Sequence, residues 1–569
     1  MRPMMSVRPE NIYPIFFLFI ATALAHFFQM GDFGLYEDDY VFFNLEKNWQ
    51  QTLLKLNWAI TNWPSGRPTS HIIPNLMGYL GHLTGGLTII YLASYALISL
   101  NAALTYLLIR KFAPALVATI GGLAFCLFPA DTTKILLIHS FAIQIGLTFT
   151  LLGLIAYVNG KRISPYVFAF LALTSYETTV LPLLLAPLFN LKLSRQFLRG
   201  LLLHTFIILG LIGIMIIIRS SMGETRIAGM GDDSAITLAV KVLSALVSGP
   251  FVSMLTFIIR PVTFLLEASP AAFILAGVFF TLTYIALKHL APNQGAYKCT
   301  KNFSFNTRLL SLNSTSTQPG EFSSALRLLF TGLIMWPTSY LMSFTHWPPT
   351  TIAGRFTSVH ISATLAAAIT IAGSIWLIII FIQPKWKNIT LILLSIYFSM
   401  LAGFHYVVQT DYVKSWDIQR SFWKQVIELA PDLHNDSVIL IKKDGEGVNN
   451  TKYIYAYSWA SVAIPSKIYN IPNSSYTNRA ELFFISTSLQ KTFNVRNNKL
   501  FWTPPPIMGA TKEKEIRPAD IIILSVDNAG SLKRLFGKTR INNIRLNIRK
   551  PEQWKTYPAT PFYKLFMGS

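Results

Sequence analysis

The sequence predicts an α-helical polytopic membrane protein of about eleven transmembrane helices, followed by a soluble C-terminal α/β or α+β domain. Three observations predict it. The 569 residues are 52% hydrophobic and only 13% charged, about half the charge expected of a soluble protein. The apolar residues fall in blocks of roughly 20, the length that crosses a hydrocarbon core of about 30 Å. After Gln409 the blocks stop and charge becomes dense.

The first block, Ile12 to Met30, follows Arg2 and Arg8 and precedes Asp32, Glu37, Asp38 and Asp39. It lacks a small-residue cleavage site and further spans follow, so it reads as a retained helix. Residues 31–86 form a first external loop rich in Trp, Phe, Tyr and Asn, with amphipathic helices expected at the membrane surface. Further spans are expected near 87–109, 113–129, 135–158, 165–176, 178–190, 200–218, 270–287, 328–345, 356–382 and 388–408. The stretch from Ala235 to Glu267 is apolar but interrupted by Pro250, Arg260 and Pro261, which suits a re-entrant or interfacial hairpin, or two extra spans.

Loop charges set the orientation. Up to Thr410, 16 Lys and Arg fall on one side of this arrangement and 9 on the other. The excess belongs inside. The N-terminus is therefore expected in the cytoplasm, within an inner or plasma membrane. Residues 1–409 form the transmembrane domain, and 410–569 form a periplasmic or extracellular domain. In that domain Ser437–Ile441 and Ala519–Ser525 read as strands, and Ser415–Leu429 as an amphipathic helix. The two cysteines, Cys126 and Cys299, lie too far apart in sequence and setting to suggest a disulfide framework or a thiolate metal site.

The carboxylates carry most of the functional signal. Glu37, Asp38 and Asp39 cluster at the external end of the first helix. Such a cluster can act as a general base or bind a divalent metal through oxygen; the plain alternative is a solvated helix end. Asp131 sits in the turn Phe128 to Lys134, where helix capping is the plain alternative. Glu177 lies in an apolar run, where an ionisable group is costly and marks function or a buried pair. His139 reads as a helix-interface histidine. Arg67 and Arg355 occupy external loops beside Gly, Pro and Trp, where a guanidinium can grip a phosphate bidentately or anchor to headgroups. Arg219 and Arg260 are weaker versions of the same idea.

These residues resemble a family. The external Tyr36-Glu37-Asp38-Asp39-Tyr40 after a first helix is similar to the GT-C superfamily of polyprenyl-phosphate-dependent glycosyltransferases. Phe128-Pro129-Ala130-Asp131-Thr132-Thr133 resembles their second external loop. Leu173 to Pro187 resembles a segment of the relatives of protein O-mannosyltransferases. Gly66-Arg67-Pro68 is similar to an element of membrane glucosyltransferases that decorate bacterial O-antigens in lipopolysaccharide. The resemblance covers residues 10–200; Asp131 stands where many relatives have a histidine or a differently spaced acid.

The resemblance implies a cell-envelope glycosyltransferase, an inverting hexosyltransferase-like enzyme. It would move a sugar from a polyprenyl-phosphate donor to a glycan, lipid or protein acceptor at the external face of the bilayer. Asp38, Asp39 and Asp131 would be catalytic; Arg67, Arg355, Glu37 and Glu177 would bind the substrate or its phosphate, with the arginines on the phosphate. These residues assign no cofactor; a divalent cation, Mg or Mn, is the candidate, with no ligands assigned. No nucleic-acid partner is expected. The basic C-terminal domain would hold an anionic or glycan-bearing acceptor. Two alternatives stand beside this reading: a lipid-linked glycan transporter or flippase, with Glu177 as a coupling carboxylate, and an O-antigen polymerase or ligase.

Overall fold

Helices form where the apolar blocks lie. The computed structural model describes residues 11–43, 45, 48–190, 194–222, 234–291, 320–343, 348–434 and 437–443. In the C-terminal domain it further describes 451–452, 454, 464–469, 481–484, 493–496, 499–503, 513–541, 544–548 and 560–568. Cys299 and most of the basic loop expected between Lys288 and Arg327 lie outside the described residues.

The chain is a helical polytopic membrane protein. Among the described residues, eight helices are long and apolar enough to cross a bilayer. Seven cover expected spans: Ile12–Asp32, Leu87–Arg110, His139–Val158, Arg195–Ser221, Pro270–Leu290, Arg355–Phe381 and Pro384–Leu429. The named helices are α1 (Ile12–Thr22), α2 (Trp49–Asn62), α3 (Pro68–Thr84), α4 (Leu87–Arg110), α5 (Ala115–Cys126), α6 (Ile145–Val158), α7 (Ser164–Ser175) and α8 (Arg195–Ser221). They continue as α9 (Ala235–Glu267), α10 (Pro270–Leu290), α11 (Glu321–Thr338), α12 (Thr364–Phe381), α13 (Lys387–Leu429) and α14 (Pro561–Met567).

Four expected spans take other forms: the one at 328–345 is shifted to α11, Glu321–Thr338, and three more differ in length or helix type. The blocks at 113–129 and 165–176 hold only 12 helical residues each, in α5 and α7. The block at 178–190 is a 3-10 helix, Glu177–Asn190, containing Pro182 and Pro187. Proline removes the N–H that an α-helix needs. At about 2.0 Å per residue, the tighter helix extends about 28 Å in 14 residues. Here the apolar length is real but the α-period is not.

The interrupted stretch 235–267 is neither a hairpin nor two spans. It is one helix, α9, of 33 residues that passes through both prolines. Pro261 leaves the Phe257 carbonyl without its usual N–H partner, and the Tyr397 hydroxyl donates to that carbonyl at 2.9 Å. One face of α9 exposes Ile236, Val240, Leu243, Val247, Phe251, Met254, Ile258, Val262 and Leu265, a lipid-facing stripe at helical spacing. The other face packs: Trp336 Nε1 donates to Ser253 Oγ at 2.9 Å. A Cβ on Gly249 would meet the ring of Tyr340 at 2.3 Å.

The loop 31–86 folds as expected into helices α2 and α3, which expose Leu53, Leu54, Trp58, Ile60 and Leu83. The boundary expected at 409/410 falls inside α13, an unbroken helix of 43 residues, about 65 Å long. The last apolar span and the amphipathic segment 415–429 are thus one rod. Its polar junction is satisfied sideways. The Gln409 amide donates to the Leu24 and Ala25 carbonyls at 3.2 and 2.9 Å. Those carbonyls belong to a π-turn, Ala23–Phe27, that ends the first helix.

The strands that follow pack on the far half of α13. The main sheet places Val438–Lys443 in the middle, parallel to Glu481–Phe484 and to Ile521–Val526. Leu532–Leu535 closes the sheet antiparallel to Ile521–Val526. Both expected strand segments are therefore present, as neighbours. Arg534 grips Asp432 at 2.5 and 2.8 Å and donates to the Leu429 carbonyl at 2.9 Å. It ties the sheet to the C-terminus of α13, where a cation also suits the helix dipole.

Candidate active site

The acidic loop leaves the first helix at one end of the bundle and is fastened from three sides. Tyr91 Oη donates to the Gly34 carbonyl at 2.7 Å, Tyr36 Oη to the Tyr412 carbonyl at 2.9 Å, and Tyr40 Oη to Gln419 Oε1 at 2.7 Å. Gly34 has no alternative, since a Cβ there would lie 1.9 Å from the Trp416 ring. Phe566 of α14 packs against Tyr40, Trp416 and Trp423. The loop therefore stands on α13 and on the last helix of the chain.

The three acids part company in this frame. Asp39 is fully buried. Its oxygens accept from the backbone N–H groups of Tyr36 (3.1 Å), Ile138 (2.8 Å) and Leu137 (3.4 Å). It caps the first turn of the span before α6. Burial holds its carboxyl up at about 8, with the three N–H groups pulling the other way. Asp38 and Glu37 instead meet Arg355. The guanidinium bonds Asp38 bidentately, Nη1–Oδ1 2.9 Å and Nη2–Oδ2 2.5 Å, and reaches Glu37 Oε2 at 3.1 Å. The Asp38 and Arg355 side chains keep 15% and 22% of their surface, Glu37 only 4%. Asp38 is thus the most exposed of the three acids.

Asp131 is fully buried and shapes its own turn. Its Oδ1 accepts from Thr133 N at 2.9 Å and Thr133 Oγ1 at 2.7 Å, and Lys134 Nζ lies 3.7 Å from Oδ2. The next residue carries that turn to the arginine. Gly354 N donates to Thr132 Oγ1 at 2.8 Å, and Thr132 N donates to Thr357 Oγ1 at 3.1 Å. Asp131 and Asp39, expected as catalytic acids, therefore hold the frame around Asp38 and Arg355 without facing the surface.

A second cluster surrounds Glu177, in the break between α7 and the 3-10 helix. Arg67 binds its carboxylate through Nε at 2.8 Å and Nη2 at 2.5 Å, and Arg219 Nη1 reaches it at 3.0 Å. The Arg67 guanidinium also lies 4.2 Å from the centre of the Tyr176 ring. Gly66, at φ +63, lets Arg219 approach, because a Cβ would sit 2.0 Å from Arg219 Cγ.

Sequence reading placed Arg67 and Arg355 on one phosphate. The structure places them in separate clusters at the same end of the bundle, where the 3-10 helix from Glu177 packs on the Arg355–Ala363 segment. Arg219, the weaker candidate, joins Arg67; its signal was a cation closing an otherwise apolar helix. Arg260 donates instead to the Thr351 carbonyl at 2.5 Å. His139 is buried in a second π-turn, His139–Gln144. Backbone strain marks both clusters. Among the described residues, the non-glycine residues with positive φ are Glu37, Trp63 and Ser65, a conformation that costs energy and gathers at functional sites.

The donor set does not fit a divalent cation in this arrangement. Among the described residues no three His, Cys, Asp or Glu side chains converge as ligands. Glu37 and Asp38 face a guanidinium, and Asp39 faces backbone N–H groups.

The buried acids make stability depend on pH. Burial raises Glu37 to about 7, with Arg355 opposing. A raised folded-state value means that folding takes up a proton. Stability from this group is full below the ordinary carboxylate range and is lost as pH rises through about 7. Thermal unfolding in detergent should therefore show stability falling between about pH 5 and 8. Glu37→Gln should remove roughly 1–3 kcal/mol of that fall; an unchanged slope in the variant would assign it elsewhere.

No known protein family, curated protein or solved structure matches the chain.

Proposed function

We propose that the chain is a membrane glycosyltransferase that moves a sugar from a polyprenyl-phosphate donor to an acceptor, at the bundle end that carries the C-terminal domain. One observation carries the reading: a surface-reachable carboxylate held by an arginine stands at the same end as a cluster of two arginines around one glutamate. Acceptor activation needs a base, and a departing lipid phosphate needs cations. The arrangement offers both beside apolar helices that suit a polyprenyl tail.

In this reading the donor phosphate binds Arg67 and Arg219, the two guanidiniums that meet at Glu177. The acceptor hydroxyl oxygen attacks the anomeric carbon and its proton passes to Asp38. The bond from the sugar to the phosphate oxygen breaks, and that oxygen keeps the electron pair. A single displacement inverts the anomeric centre. Arg355 steers Asp38 and exchanges its contact as the acceptor enters. A coupling carboxylate in a transporter must gain and lose a proton, and the two arginines around Glu177 oppose protonation.

Donor affinity tests the phosphate assignment. Arg67→Lys and Arg219→Lys keep the charge but lose the planar fork. Each should weaken binding of a polyprenyl-phosphate sugar by about tenfold or more, the weight of one charged hydrogen bond. Unchanged affinity in both variants would remove this cluster from the donor site.

A further inference from the structure

The opposite end of the bundle carries a site of its own. Helix α4 begins beside Gly34 and ends at Arg110, and the 3-10 helix begins at Glu177 and ends at Asn190. Helix α11 runs the other way, with Tyr340, just beyond its end, bonded to His360 in the Arg355 segment at 2.6 Å. The start of α11 and the last residues of the other two therefore meet far from the acids. There they enclose a cavity of about 170 Å³ lined by Lys111, Phe112, Phe189, Ser324, Arg327 and Thr331, together with one leucine.

The lining is two-sided. Ser324, Arg327 and Thr331 follow one another at helical spacing on one face of α11. With Lys111 they bring two cations and two hydroxyls, and among the described residues no carboxylate lines the cavity. The other wall is aromatic: Phe112 and Phe189 stack with centroids 5.2 Å apart and planes at 17°. Leu326, Phe330 and Leu333 are exposed on the opposite face of α11, as lipid-facing residues of a bundle are. A free inorganic anion would have no use for the aromatic wall. An anion attached to an acyl chain uses the cations, the hydroxyls and the aromatic wall, and basic pockets between transmembrane helices suit lipid phosphates.

We infer that this cavity binds the phosphate of an anionic phospholipid, with Lys111 and Arg327 on the phosphate, Ser324 and Thr331 on the neighbouring oxygens, and the first acyl carbons along Phe112 and Phe189. The site is independent of the glycosyltransferase reading, and its test does not use activity. The full chain in zwitterionic detergent is titrated with short-chain phosphatidylglycerol, phosphatidylcholine or inorganic phosphate, and thermal unfolding is followed. Phosphatidylglycerol alone should stabilise it. The double variant Lys111→Gln/Arg327→Gln should need about tenfold more of that lipid for the same shift. Ser324→Leu, which fills the cavity and leaves the charge alone, should need more as well. The double variant Lys385→Gln/Lys387→Gln, with its cations outside the cavity, should behave as the parent. Equal stabilisation by inorganic phosphate would overturn the lipid assignment. A parent-like response in Ser324→Leu, or the same loss in the Lys385/Lys387 variant, would reduce the effect to general surface attraction and overturn the site.

Discussion

Asp38→Asn should lower sugar transfer by on the order of a hundredfold or more, the usual weight of a general base, with donor binding nearly unchanged. The substitution keeps size and one hydrogen bond to Arg355 but cannot accept the acceptor's proton. The pair keeps only 15% of the Asp38 and 22% of the Arg355 side-chain surface, and the amide oxygen still accepts from the guanidinium, so Arg355 is not left without a partner. Asp39→Asn should behave differently. Asp39 presents its oxygens to three N–H groups, and an amide turns an N–H toward at least one of them. It should lose stability and transfer together. The comparison is made by single-turnover transfer and thermal unfolding on the same preparations. Parent-like transfer by the Asp38 variant, or an Asp39 variant that is fully stable and inactive, would exchange the roles assigned to the two acids.

Removal of everything after Thr410 should abolish both transfer and hydrolysis of the donor by water, yet leave donor binding in place. The sequence suggests a separate acceptor-holding domain, whose loss would leave slow hydrolysis. The structure changes that expectation. Tyr36, Tyr40 and Gly34 rest on Tyr412, Trp416 and Gln419, and Phe566 closes the packing from behind. Without them the acidic loop has lost its floor, and Asp38 has lost its position. Arg67, Glu177 and Arg219 belong to the transmembrane part and keep their mutual contacts. A chain ended after Leu429 keeps α13 whole and should retain part of the hydrolysis. Donor hydrolysis at the parental rate in the Thr410 truncation would show that the loop stands without α13.

The candidate site was partly legible. Acids in a chain this poor in charge stand out, and so do Arg67 and Glu177, because each charge near apolar surroundings needs a reason. Which acid faces outward was not legible, since Glu37, Asp38 and Asp39 are adjacent and chemically alike. Their division follows from which backbone amides and which guanidinium happen to lie opposite, and these come from residues about 100 and 300 positions away. The pairing of Arg219 with Arg67 through Glu177 is of the same kind.

By itself the sequence determined what depends on composition and local period. That includes the membrane class, seven of the long spans, the amphipathic helices of the first loop and the two strands at the centre of the C-terminal sheet. Apolar length and alternation are properties of neighbouring residues, so they can be read along the chain. Only the tertiary structure decided the continuity of α9 through two prolines, the 3-10 form of Glu177–Asn190, and the single rod that joins bundle to domain. In each case the local rule names a break or a boundary, and a distant partner removes or shifts it. Tyr397 caps the carbonyl that Pro261 strands, and Gln409 reaches across to the carbonyls of the π-turn. A buried polar group must find a partner somewhere, and where it finds one is a property of the folded chain.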